Sequence, residues 1–201
     1  MPFGKEFHMP KLGMEPIRRA ALVQATIAEI GATGTLDVTV SQIAKRAGVS
    51  SGLAHHYFGG KEQIFLAAMR HTLTVYGAEV RGALIMADTP HERVRAIVKA
   101  SFSQTNFRRE VVAAWLNFYV LAQVTDEAKR LLIVYQHRLR SNLAYSLRPL
   151  VGARAAEVAD RVAALIDGAY LKHTLGDDLP KPDEVLRQIL DYVALEHQRE
   201  Q

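Results

Sequence analysis

Apolar residues along this chain recur at three- and four-residue spacings. Leu22, Val23, Thr26, Ile27 and Ile30 fall at i, i+1, i+4, i+5 and i+8, one face of a helix that Pro16 can open and Gly31 or Gly34 can close. A second helix is predicted from Thr39, where Thr39 and Gln42 have capping-box spacing, and a short third from Ser50 or Ser51 to about Tyr57. Gly-containing turns at Gly31 to Gly34, Gly48, and Gly59 to Gly60 separate these segments. Beyond Gly60 the pattern predicts longer helices over roughly 60–86, 90–106, 108–123, 126–148, 153–176 and 183–198, with Pro90, Pro149, Pro180 and Pro182 as punctuation. Val and Ile do not alternate with polar residues, so no strand is expected and the fold class is all-α.

Composition narrows the chemistry. A length of 201 residues, 49% of them apolar, allows one domain or two small ones with a substantial core. Apolar runs are too short for a membrane helix, and no secretory leader opens the chain, so a cytoplasmic protein is expected. The absence of cysteine removes disulfides, Cys-based zinc sites and cysteine nucleophiles. A net charge of +4 tolerates a polyanionic partner without demanding one. Residues 1–8, ahead of Met9, read as an appended or upstream extension that is not expected to belong to the fold.

Residues 39–61 are the most informative stretch. Ile43, Ala47, Val49, Ala54 and Tyr57 can pack inward, Ala44 is small where two helices would cross, and Gly48 sits where a turn needs positive φ. This is the pattern of a helix-turn-helix, whose second helix enters a major groove while its flanks meet phosphates. The run Thr39-Val40, Ile43-Ala44, Ala47-Gly48-Val49-Ser50, Tyr57-Phe58 and Lys61 resembles the TetR family of repressors over about residues 17–65. The resemblance implies that Ser51, Gly52, Leu53 and His55 read base edges, and that Thr39, Ser50, His56, Tyr57 and Lys61 contact or approach phosphates. A serine hydroxyl suits a base edge, a leucine a thymine methyl, and glycine permits close approach. Tyr57 and Phe58 also suit a core role, Phe58 the more so. Adjacent His55 and His56 point to different helix faces, so no shared metal is expected.

Other motifs compete. Gly48-Val49-Ser50-Ser51-Gly52 matches the G-x-S-x-G nucleophile elbow, which would make this a small helical hydrolase using Ser50; an elbow needs a preceding strand, and Ser50 reads better as an N-cap. His137 with Asp126 is a second catalytic alternative, and a helical adaptor without DNA a third class. Gly59-Gly60-Lys61 lacks the first Gly and the Ser or Thr of a phosphate-binding loop. The expectation is therefore no enzyme, no cofactor and no metal.

Residues 62–201 have the composition of a helical bundle. Trp115, Phe118 and Tyr119, at i, i+3 and i+4, share one helical face and either belong to the core or line a cavity. The segments Met9 to Met14, Ala114 to Tyr119, Arg138 to Leu143 and Ala164 to Leu171 resemble one branch of the family, the choline-responsive repressors of glycine betaine synthesis. That resemblance implies a quaternary ammonium inducer, which aromatic faces and a nearby anion recognise. It makes Trp115, Phe118, Tyr119 and Tyr170 candidate walls and Asp167 the candidate anion. Asp167 alternatively stands in solvent or pairs with Arg138 or Arg140, and Ala169 occupies a position where an aromatic is expected.

The last two helices present Val158, Val162, Leu165, Ile166 and Ala169, then Val185, Ile189, Tyr192, Val193 and Glu196. The resemblance implies that they pair with twofold mates as a four-helix bundle; otherwise they complete the monomer core. A homodimer matches a palindromic double-stranded operator, with recognition helices roughly 34 Å apart. The sequence thus predicts residues 9–60 as a three-helix DNA-binding domain and 61–201 as a ligand-sensing and dimerisation domain.

Overall fold

The computed structural model describes residues 13–175 and 181–200. The Met9 to Leu12 part of the resemblance, and the start of the predicted DNA-binding domain, lie outside the described residues. Among the described residues ten helical segments follow in order: α1 (Met14–Thr33), α2 (Val40–Arg46), α3 (Ser51–Phe58), α4 (Lys61–Ile85), α5 (Pro90–Ser101), α6 (Arg109–Val124), α7 (Asp126–Val151), a 3-10 turn (Gly152–Arg154), α8 (Ala155–Leu175) and α9 (Pro182–Gln198). The all-α expectation holds. α1, α2 and α3 pack on one another and α4 continues from them, while α4 to α9 form the larger bundle in which α7 lies along α8.

Local chemistry sets most boundaries. Thr39 caps α2, its hydroxyl accepting from Gln42 N at 3.2 Å while Gln42 Oε1 accepts from Thr39 N at 2.7 Å. Thr89 and Glu92 form the same reciprocal pair ahead of α5, with Pro90 in the first turn. Each such cap is worth about 1 kcal/mol. The amide of Gly34, at φ 70°, donates to the Ile30 carbonyl and closes α1.

Gly31 does not close α1. It lies within the helix because α6 crosses there: a Cβ on Gly31 would sit 2.3 Å from Glu110 Cβ. α5 ends at Ser101 rather than 106, because Asn106 is buried with its amide donating to Glu79 Oε2 at 2.7 Å and to the Ala100 carbonyl at 2.9 Å. Those bonds hold 102–108 as turns. α7 runs through Pro149 to Val151. An exposed proline in the last turn forfeits only one intrahelical bond, to the Tyr145 carbonyl.

The buried apolar side chains form one continuous cluster, from Leu22 and Ile43 through Ile64, Trp115 and Leu143 to Ile166 and Ile189. No described helix is long and apolar enough to cross a membrane, and the described residues contain no group of three or more His, Asp or Glu placed to hold a metal.

Candidate nucleic-acid interface and sensor core

The turn between α2 and α3 is built as the sequence predicts. Gly48 has φ +69°, and Val49 N donates to the Ala44 carbonyl at 3.0 Å, so the chain reverses over a buried Ala44. Ser50 is the N-cap of α3, its Oγ accepting from Leu53 N at 3.2 Å. That bond, and the absence of a strand before it, make Ser50 a cap and not a nucleophile. Ile43 and Ala54 are buried, while Ala47, Val49, Tyr57 and Phe58 are half-buried against them.

The residues expected to meet DNA differ in exposure. Gly52, His55 and His56 are exposed, Ser51 and Leu53 half-buried, and a Cβ at Gly52 would meet nothing within 4 Å. Thr39, Ser50 and Lys61 are also exposed. Two of these groups are engaged within the chain. The Ser51 and Ser41 hydroxyls lie 2.9 Å apart, and His55 Nδ1 is 3.3 Å from the Gly59 carbonyl oxygen. His56 tilts against Tyr57, with ring centroids 5.7 Å apart. Tyr57 and Phe58 lie beneath the Arg19 guanidinium, at 5.1 and 5.2 Å, and Lys61 Nζ stands 5.6 Å from the Phe65 ring centre at the start of α4. Sequence reasoning missed Ser41 and Lys45. Lys45, in the last turn of α2, has no carboxylate partner among the described residues, whereas the adjacent Arg46 pairs with Glu29 at 2.5 Å.

The core of the larger bundle is aromatic around Trp115. Trp115 packs against Phe118, Tyr119 and Tyr135, with centroid distances of 5.9, 6.2 and 4.7 Å, and Tyr135 meets Tyr76 at 5.6 Å. Tyr76 Oη lies 3.3 Å from Ser101 Oγ, and Tyr170 Oη donates to the Ser101 carbonyl at 2.6 Å. Asp167 is half-buried and accepts from Tyr119 Oη at 3.0 Å. It pairs with neither arginine considered from sequence: Arg140 instead holds Asp160, with Nε to Oδ1 at 2.5 Å. Phe118, 1% exposed, supports Trp115 from within the core.

Burial raises the Asp167 carboxyl above its ordinary range, a shift that the Tyr119 hydroxyl partly opposes. Desolvation also raises all four phenols, Tyr76 to about 12, and the nearby Asp167 charge pushes each further. Tyr76 and Tyr135 belong to this group although sequence reasoning did not select them; they lie on α4 and α7, and no local spacing links them to Trp115. A cavity of about 420 Å³ between α7 and α8 is lined by Tyr135, His137 and Arg140 of α7 and by Asp160 and Asp167 of α8.

α6 links this core to the DNA-facing helices. Asn117 Nδ2 donates to the Gly34 carbonyl at 3.1 Å and to the Ala113 carbonyl at 2.9 Å, two residues along from Trp115. The stripes expected to pair two subunits are largely consumed within one chain. Val158, Val162, Ile166, Ala169, Val185, Ile189, Val193 and Glu196 are all buried, Tyr192 is half-buried and Leu165 is exposed. The outward face of α8 instead carries Ala164, Leu165, Gly168, Leu171 and Leu175. His137 and Asp126, eleven residues apart on α7, are separated by about 16 Å of helix rise and form no catalytic pair.

Comparison with known proteins matches residues 22–68 to the bacterial regulatory proteins of the tetR family and residues 90–197 to the C-terminal part of BetI-type transcriptional repressors. The chain is 51% identical over 189 residues to the HTH-type transcriptional regulator BetI of Brucella melitensis biotype 2, covering 94% of this chain and 96% of that protein. It is 52% identical over 168 residues to BetI of Agrobacterium fabrum, covering 83% and 82%. Among solved structures, a putative transcriptional regulator from Pseudomonas aeruginosa PAO1 superposes with a TM-score of 0.73 at 27% identity, covering 98% of this chain and 100% of that one. A putative regulator from Saccharomonospora viridis, solved in complex with choline, superposes with a TM-score of 0.80 at 21% identity, covering 89% and 96%. A helix-turn-helix with an open recognition face, continuous with an aromatic core and matched along nearly its whole length, places this chain among the BetI-type transcriptional repressors of the TetR family.

Proposed function

We propose that this repressor acts as a homodimer on a palindromic operator and that choline, or a close quaternary ammonium relative, releases it. The observation that carries this reading is the setting of Asp167: a half-buried carboxylate beside Tyr119, with Trp115, Tyr76, Tyr135 and Tyr170 in the surrounding core. A quaternary nitrogen has no N–H to donate, so aromatic faces and one uncompensated anion suit it better than an array of acceptors. The cavity between α7 and α8 reaches Asp167 directly.

In this reading residues 9 to about 60 bind DNA and the remainder senses the ligand and dimerises. Ser51, Gly52, Leu53 and His55 face base edges, while Thr39, Ser50, His56, Tyr57 and Lys61 meet phosphates. The exposed Ala164, Leu165, Gly168, Leu171 and Leu175 face supports dimerisation through α8, its small residues permitting close helix approach. Choline releases the operator only by favouring a conformation with misspaced recognition helices; a differential affinity of about 1–3 kcal/mol gives roughly 5- to 150-fold weaker DNA binding.

The test is a band shift on the DNA upstream of the gene for this chain, with and without choline, beside 3,3-dimethylbutanol as the neutral isostere. Choline alone dissolves the complex if the reading is right. Equal effects of the two compounds, or none, remove the choline assignment while leaving the repressor.

A further inference from the structure

A second cavity, about 360 Å³, opens between α4 and α7 on the other side of Tyr135 and Leu139 from the Asp167 cavity. Its walls combine Leu73, Val80, Val134 and Leu139 with Arg81, Arg138, Asn142 and the aromatic Tyr76 and Tyr135. Among the described residues neither arginine has an ion-pair or hydrogen-bond partner, although the chain pairs several of its other arginines with carboxylates. The side-chain amide of Asn142 and the Tyr135 hydroxyl are likewise without partners among the described residues. The cavity therefore presents donors and positive charge around an apolar body, and contains no carboxylate.

We infer that the α4–α7 cavity is a binding site for a small aliphatic carboxylate, held by the Arg81 and Arg138 guanidinium groups with its hydrocarbon against Leu73, Val80, Val134 and Leu139. The chemistry follows from the lining. A guanidinium offers a planar donor fork that fits a carboxylate, and charge-assisted pairs of this kind are stronger than neutral hydrogen bonds. An amine or quaternary ammonium is repelled there by two cations. α7 thus separates cavities of opposite preference: Asp167 on the α8 side attracts a cation, and Arg81 with Arg138 on the α4 side attracts an anion. Tyr135, 4.7 Å from Trp115, forms part of both walls, so occupancy of the anion cavity is felt by the aromatic core.

Hexanoate is the probe, hexanamide its neutral isostere, and Trp115 fluorescence the readout on the full chain at fixed ionic strength. Hexanoate should produce a saturable change that hexanamide lacks, and Arg81→Gln or Arg138→Gln should weaken it at least tenfold. Both arginines are exposed, so these variants should fold, as melting curves will register. Choline titrations of the same variants should match the parent, which keeps this site's failure distinct from that of the Asp167 site. Equal responses to hexanoate and hexanamide, no response to either, or an undiminished response in the Arg81→Gln/Arg138→Gln double variant overturns the assignment.

Discussion

Tyr119 Oη donates to Asp167 Oδ1 at 3.0 Å across the gap between α6 and α8, so the carboxylate beside the aromatic core is held by a phenol and not by a cation. One hydroxyl offsets only part of the desolvation of that charge, and the carboxyl titrates above its ordinary range as a result. A cationic ligand would supply the missing compensation.

The first prediction concerns pH. Because the folded protein holds the Asp167 proton more tightly than the unfolded chain, this group's contribution to stability is full below the unfolded carboxyl pKa and is lost as pH rises through the raised folded value. Choline favours the ionised form, so its affinity should fall as pH drops through that same folded value. Asp167→Asn should flatten the affinity profile and weaken choline binding by about 10- to 100-fold, in line with about 1.4 kcal/mol per decade. Calorimetry across pH 4–8 on both proteins checks this; parallel profiles would exclude Asp167 as the anion.

Gly52→Ala separates folding from recognition. No atom lies within 4 Å of the added methyl, and alanine is the better helix former, so thermal stability should hold or rise by up to about 1 kcal/mol. Operator affinity should fall about tenfold, because the methyl projects from the face assigned to the groove. Melting curves and band shifts on the same preparation decide it.

Lys61→Ala should weaken binding to any duplex and reduce the magnitude of the logarithmic salt slope by about 1 per protomer, the loss of one phosphate contact. A variant that discriminates among sequences differently, with an unchanged slope, would place Lys61 at a base edge instead.

Asn117→Ala tests the link between the aromatic core and the helix-turn-helix. Removing the bond to the Gly34 carbonyl should cost about 1 kcal/mol of stability and leave choline affinity near that of the parent. The choline-induced loss of operator affinity should shrink severalfold. Calorimetry and band shifts together distinguish this from a purely structural loss, in which both responses would scale with stability.

What the sequence made legible was what its neighbours in the chain control. Thr39 with Gln42, Gly48 and Ser50 act through bonds only a few residues long, and the helix-turn-helix appears where their spacing puts it. The Trp115, Phe118 and Tyr119 stripe was visible for the same reason. Tyr76, Tyr135 and Asn117 were not, because their partners lie on other helices, and the end of α5 depends on Asn106 meeting Glu79 from α4. The α8 stripe left two destinations open, a partner subunit or the monomer core, because spacing alone does not distinguish them; Val158, Val162 and Ile166 are buried within the chain's own bundle.

The missing side chain at Gly31 lets α1 and Glu110 of α6 meet with no cushion between them. Most helix pairs absorb a small tilt by letting side chains change rotamer, so displacement dies away within a layer of atoms. At Gly31 the α6 backbone itself lies within reach of α1, so this one crossing leaves no room for a side chain to take up a shift, and a larger residue there would force α1 and α6 apart.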